Sequence, residues 1–227
     1  MDVYAALRTR GSTRAFLDRP VDRATLGRLL DAARWAPSGS NIQPWHVHAV
    51  AGAALGAISA DVRAAATGDR SAFPWPYPYY PEHWREPYLG RRRACGWGLY
   101  TLLGISRGDR AAGLAQELRN YDFFGAPAGL FFFIDGDLGV GSWFDYGMFV
   151  QSVMLAARQE GLHTCPQAAW APFHAVVRRH LAVPDAQTLI CGLALGYADP
   201  DAPVNRYRPE REPVDAFTRW HGFGESA

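Results

Sequence analysis

The chain has 227 residues, 48% of them apolar and 20% charged, with a formal net charge of +1. That length supports a real core, and so small a charge sets up no global field toward nucleic acid or an acidic membrane. No run is apolar enough for a bilayer span, and the opening MDVYAALRTRG lacks the basic-then-apolar build of a signal peptide, so a cytoplasmic protein is expected.

All 23 basic side chains are arginine. Lysine Schiff-base chemistry and a P-loop lysine are therefore excluded. Any anion must be held by guanidinium, hydroxyl or backbone N–H groups. Cys95, Cys165 and Cys191 are odd in number and far apart, which argues against a disulfide framework or a zinc site.

The N-terminal RTRGSTRAF sets Arg10, Ser12 and Arg14 around Gly11. It reads either as a solvated basic turn or as an anion cradle in which glycine admits a close backbone approach. From Val21 to Trp35, Leu26, Leu29, Leu30 and Ala33 mark one face of a helix, with Asp22 as N-cap and Pro37 just past its end. The connection APSGSNIQPWHV then crowds small polar groups ahead of a short strand, WHVHAV. His46 and His48 could share a strand face, but no third metal ligand lies nearby.

LGAISADVRAAA predicts another helix. Phe73 to Pro87 carries five prolines and six aromatic residues, a density that excludes helix. A rigid surface loop and an aromatic wall over a pocket are both open readings of it. RRRACGWGLYTLLGI and RGDRAAGLAQELRNY resume as helices. AGLFFFID predicts a buried strand, and Tyr146 to Ala157, free of charge and apolar nearly all round, a buried helix stopped at Gly161. GLHTCPQAAW reads as a proline-kinked turn of small residues whose N–H groups could face a ligand. APFHAVVRRHL predicts a helix and QTLICGLALGYA a second buried strand. The segment after Asp199 is proline- and charge-rich, yet carries Val214, Phe217 and Trp220, the pattern of an arm that docks on a partner subunit.

No βαβ rhythm is visible, so the fold class expected is α+β. GVGSWF and GWGLYT both fail the dinucleotide fingerprint, and neither a GxSxG nor an HExxH motif is present.

Taken together, R-x-S-x-R-x-F, A-P-S-x-x-N-x-Q-P-W, G-L-x-T-C-P-Q and the basic tail NRYRPERE resemble the FMN-dependent nitroreductase family, in order and over essentially the whole chain. The middle stretch YYPEHWREPYLGRRRACGWGLYTLLGI looks like the subgroup that reduces nitroaromatics. The resemblance implies a three-layer α-β-α sandwich around a mostly antiparallel sheet. It implies a single domain over 1–227, with 199–227 as an arm, in an intertwined homodimer. It implies bound FMN, with NADH or NADPH as electron donor and a small aromatic acceptor, in a ping-pong cycle with no catalytic side chain and no metal. Dehydrogenation, reductive dehalogenation, flavin fragmentation, or flavin binding without turnover are the alternatives within and beside that superfamily.

By the same resemblance, Arg10, Gly11 and Ser12 meet the phosphate and ribityl chain, and Arg14 the pyrimidine edge. Pro37, Ser38, Gly39 and Asn41 contact the FMN bound mainly by the other subunit, with Gly39 standing where many members have serine. Pro166, Gln167, Ala168 and Ala169 flank the ring system, with Ala168 favoured to present its N–H, and Asn120 matches a ligand-region asparagine. Arg211 best matches the tail's phosphate-binding residue, with Arg208 the alternative. From the composition of the aromatic segment alone, and not from the resemblance, Tyr79, Tyr80, Trp84 and Tyr88 are the expected stacking partners of an aromatic substrate. Cys165 is expected to be a packed thiol rather than a nucleophile.

Overall fold

A computed structural model describes residues 1–224. Helices α1 (Val3–Thr9) and α2 (Arg23–Ala33) open the chain, followed by β1 (His46–Ala51), α3 (Gly52–Thr67), α4 (Tyr88–Leu102) and α5 (Arg110–Leu118). Then come β2 (Ala128–Asp135), α6 (Val140–Gln159), β3 (His163–Gln167), α7 (His174–Leu181), β4 (Gln187–Gly196) and the short α8 (Val214–Phe217).

The four strands form one sheet in the order β1-β2-β4-β3, and every ladder is antiparallel. Strand β2 lies at its centre and is buried almost end to end, as the run LFFFI requires. Its side chains alternate between two cores. Phe131 and Phe133 join Ile58, Val62, Val176 and Val177 under α3 and α7. Leu130, Phe132 and Ile134 join Tyr146, Phe149 and Val153 of α6 and Ala33 of α2. Helices therefore cover both faces, giving the expected three layers. Each fully buried Phe contributes about 1.5–3 kcal/mol relative to an exposed one.

Local signals behave as their chemistry dictates. The Asp22 side chain accepts the Thr25 N–H and caps α2. Gly161 ends α6 with φ +73°. Residues 73–87 contain no α-helix.

The segment GLHTCPQAAW departs from its sequence reading. Its first half is strand β3, paired with β4, and not an open turn. Pro166 is tolerated because β3 is an outer strand of the sheet. On the other side of β3, the Thr13 N–H donates to the Thr164 carbonyl at 3.0 Å, and a parallel bridge joins Ser12 to Thr164. The N-terminal basic motif is thus stitched onto the sheet beside Cys165 and Pro166. Among the described residues, no helix is long and apolar enough to cross a membrane.

Candidate functional site

A cleft of about 690 Å³ opens where the RTRGSTR segment meets the C-terminal arm, lined by Arg10, Gly11, Ser12, Arg14, Arg208 and Arg211, among others. Cys95 of α4 and Tyr207 of the arm complete its wall, and the Tyr207 hydroxyl donates to the Cys95 carbonyl at 2.9 Å.

The charges in this cleft are unbalanced. Arg28, Arg34, Arg63, Arg70, Arg91, Arg178 and Arg179 all have carboxylate partners elsewhere. Among the described residues, Arg10, Arg14, Arg208 and Arg211, like the remaining arginines, have none, but these four share one cleft whose lining contains no carboxylate. The Nε of Arg10 is buried without any hydrogen-bond partner. A group of guanidiniums without a carboxylate is a site for an anion.

Gly11 leaves room for the close approach of one tail side chain. A Cβ built on it would meet Arg208 Cζ and Nη1 at 3.0 Å. Arg208 is therefore the tail guanidinium laid against the cradle, while Arg211 lines the same cleft and donates to the Pro209 and Glu210 carbonyls.

Two residues behind the cleft carry no signal in the sequence. Arg158 of α6 and His163 of β3 both feel Arg208. Burial, then Arg158 and Arg208, push His163 down to about 4, and its Nδ1 is buried and unpartnered. Burial and the Arg208 charge likewise pull Arg158 below its usual range.

Arg14 also lines a smaller pocket of about 230 Å³ together with Tyr100, Asn120, Phe124, Cys165 and Pro166. Arg14 thus lines both a wide basic cleft and a smaller recess. Burial pushes the Cys165 thiol up to about 11 against the opposing pull of Arg14, Ser12 and Arg10. Gln167 turns inward: its Nε2 donates to the Asn120 carbonyl at 2.7 Å, so the side chain braces Asn120. Ala168 and Ala169 start a 3-10 turn, Ala168–Phe173, and are half-buried.

Pro37, Ser38, Gly39 and Asn41 lie outside both cavities. Their loop is pinned to α6 instead. The Gly39 N–H donates to Asp145 at 2.9 Å, and the Gln43 N–H to Ser38 Oγ at 3.0 Å. Trp45 closes the loop by stacking on Phe149 at 4.7 Å, and the Tyr146 hydroxyl donates to the His46 carbonyl. Ser40, Asn41 and Gln43 all have positive φ, a costly arrangement for non-glycine residues.

The aromatic segment packs on itself. Trp75 stacks on Tyr79, Tyr79 meets Tyr80 edge-on, and Tyr80 leans on Trp84. Arg92 of α4 sits over both Tyr80 and Trp84, and Arg85 over Tyr88. Tyr77 anchors the segment to the sheet through the Ile190 carbonyl and packs on Trp143. Tyr79, Tyr80, Trp84 and Tyr88 do not line the two cavities that Arg14 joins. His46 pairs with Asp135 at 3.2 Å, and His48 lies edge-on to Phe133. Among the described residues, no group of three or more His, Cys, Asp or Glu side chains could hold a metal ion.

The chain is similar to known proteins along nearly its whole length. The family model described as "Nitroreductase family" matches residues 7–197. The 4-nitrobenzoate reductase of Pseudomonas putida is 41% identical over 98% of this chain and 96% of its own. The nitrobenzene nitroreductase of Ectopseudomonas oleovorans is 37% identical, covering 93% of each chain. The crystal structure of the FMN and NADPH-dependent nitroreductase NfnB from Sphigopyxis sp. strain HMH superposes with a TM-score of 0.95 at 43% identity, covering 98% of this chain and 100% of that one. The chain belongs to the nitroreductase family.

Proposed function

We propose that the protein is an FMN-dependent oxidoreductase that passes electrons from NADH or NADPH to a nitroaromatic acceptor. The observation that carries this reading is the carboxylate-free arginine cleft around Gly11, in a chain that matches nitroaromatic reductases along nearly its full length. The residues present fit the cofactor. Arg10, Ser12, Arg208 and Arg211 offer cationic and hydroxyl donors for a phosphate, and Gly11 keeps the backbone accessible. Arg14 stands between that cleft and the recess bounded by Asn120, Cys165 and Pro166, where a flat ring would rest.

FMN held by Arg10, Ser12, Arg208 and Arg211 would supply the two-electron redox chemistry between the nicotinamide donor and the nitro group. The chain contributes binding, orientation and field. Arg14, which lines both cavities, would place positive charge beside the flavin ring and favour its electron-rich state. Pro166 lines the recess proposed for the ring, Gln167 would act on it through Asn120, and Ala168 and Ala169 follow directly in the chain. The thiol of Cys165 stays protonated and packs. No side chain need act as acid or base.

The site is completed across a homodimer interface, to which the partner contributes Pro37, Ser38, Gly39 and Asn41. The exposed apolar surface supports that assembly: Trp35, Val140 and Phe144 are 79%, 87% and 71% accessible in a lone chain. We further read residues 1–227 as one FMN-binding domain in the cytoplasm, with 199–227 as an arm docked on the partner. Residues 225–227 of that arm lie outside the described structure. The aromatic run with Tyr79, Tyr80, Trp84 and Tyr88 supplies rings on which an acceptor can stack.

The purified protein should be yellow. Anaerobic NADPH or NADH should bleach it, and 4-nitrobenzoate or nitrobenzene should restore the colour. A flavoprotein bleached by the donor but recoloured by no nitroarene would overturn the acceptor assignment.

A further inference from the structure

We infer that Asn205 is a positioning residue for the anion cradle. It joins the arm to the N-terminal motif and thereby sets Arg208 against Gly11. The inference rests on the reading of that cleft as a flavin phosphate site.

Asn205 lies near the end of the 3-10 turn Pro203–Arg206, next to the buried Val204. Its side-chain amide is fully used. The Oδ1 accepts the Arg14 N–H at 2.8 Å, across 191 positions of sequence. The Nδ2 donates to the Ala15 carbonyl at 2.8 Å and to the Asp199 carbonyl at 2.8 Å. One side chain thus clamps the segment carrying Arg10, Ser12 and Arg14 to the first residue of the arm. The backbone of the same residue faces the other way: its carbonyl accepts Arg208 Nη1 at 2.9 Å.

The chain of contacts runs without a gap. The N-terminal motif fixes the Asn205 side chain, the Asn205 and Tyr207 carbonyls both accept Arg208 Nη1 at 2.9 Å, and that guanidinium lies where a Cβ on Gly11 would be 3.0 Å away. Arg208 has no carboxylate to hold it among the described residues. Without a fixed acceptor, a long exposed arginine gives up several rotatable bonds of entropy each time it binds. Asn205 meets that cost in advance. It should touch no ligand and still matter for the part of the ligand that Arg208 reads.

The test compares two flavins that differ only in the phosphate. Full-length protein freed of flavin is titrated with FMN and with riboflavin, for the parent, Asn205→Ala, Arg208→Ala and the double variant. Asn205→Ala should raise the FMN Kd about tenfold, the size of one lost charge-assisted contact. Riboflavin affinity should fall clearly less than FMN affinity, since Arg208 reads only the phosphate while Arg14, held by the same side chain, faces both flavins. The double variant should bind FMN no more weakly than Arg208→Ala alone, since both act through one guanidinium. Equal loss for both flavins, or loss for neither, overturns the assignment of Asn205. Should the alanine variant fail to fold, Asn205→Ser must show the same selective loss. If Arg208→Ala itself fails to distinguish FMN from riboflavin, the phosphate reading falls, and that outcome is separable because it appears with Asn205 intact.

Discussion

The backbone N–H of Gly39 donates to the carboxylate of Asp145 at 2.9 Å, joining a surface loop to a residue only 8% exposed on α6. Sequence resemblance makes Gly39 look like a deficit, since a family hydroxyl is absent there. The structure shows what the backbone does at that point: it anchors a loop in which Ser40, Asn41 and Gln43 carry positive φ. Asp145→Ala should therefore destabilise the protein by about 1–3 kcal/mol, the range for a buried hydrogen bond to a charged group. It should also weaken FMN retention in the dimer. The substitution Asp145→Asn keeps an acceptor and should preserve most of both properties. Urea denaturation and flavin titration check this, and an unchanged midpoint for Asp145→Ala would remove the anchor role.

Glycines test packing in opposite directions. A Cβ on Gly192 would meet Trp170 Cδ1 at 2.5 Å. Trp170 cannot retreat, because it stacks on Phe123 at 4.6 Å and meets Phe131 edge-on at 5.0 Å. Gly192→Ala should cost about 1–3 kcal/mol by overpacking. Gly56, in α3, has nothing within 4 Å of such a Cβ, so Gly56→Ala should add about 0.5–1 kcal/mol by restricting the unfolded chain. Thermal melts of the two variants should move in opposite directions.

His163 gives a pH signature. Its value falls from 6.5 to about 4, first through burial and then through Arg158 and Arg208. The folded state therefore prefers the neutral ring. The associated stability is fully present above pH 6.5 and is lost as pH falls toward about 4. His163→Gln should show a smaller drop in Tm between about pH 7 and about pH 4.5 than the parent does. Equal drops would mean that this ring does not contribute to acid sensitivity.

Thiol labelling should be selective. Burial pushes Cys165 up to about 11 and Cys191 up to about 12, while Cys95 is exposed in the cleft wall. The thiolate is the reactive form. Iodoacetamide at mildly alkaline pH should modify Cys95 in the native protein and all three cysteines after denaturation, as read by mass spectrometry. Labelling of Cys165 in the native state would contradict its packed environment. Preloading with FMN should slow the reaction at Cys95.

Much of the fold is legible in the sequence because its signals are local. The Asp22 cap, the Gly161 stop and the run AGLFFFID each act within a few residues, and each appears where its chemistry puts it. Strand β3 is not legible, because its proline reads as a kink until the sheet places it on an outer strand. The cradle residues Arg10, Gly11, Ser12 and Arg14 are visible as a motif. Which tail arginine faces them is not, because Arg208 is selected by contacts with Gly11 and Asn205 and not by spacing. Arg158, His163, Asp145 and Asn205 escape a linear reading for the same reason. For Asp145 and Asn205 the partners lie far along the chain, and for Arg158 and His163 the influence of Arg208 does. In sequence, the aromatic segment is open between loop and wall; its rings are matched to one another and to Arg92, a pairing that composition cannot reveal.

The all-arginine cleft has a practical corollary. A guanidinium keeps its charge wherever a protein stays folded, so alkaline pH will not release an anion held there as it would from an amine. Ionic strength becomes the handle, because screening shortens the reach of every exposed cation. The cleft should behave like a small anion-exchange resin, in which sulfate or inorganic phosphate displaces a bound phosphate ester by mass action. Cofactor occupancy after purification should then follow the buffer anion and its concentration, and a preparation made in phosphate should come off the column paler than one made in chloride.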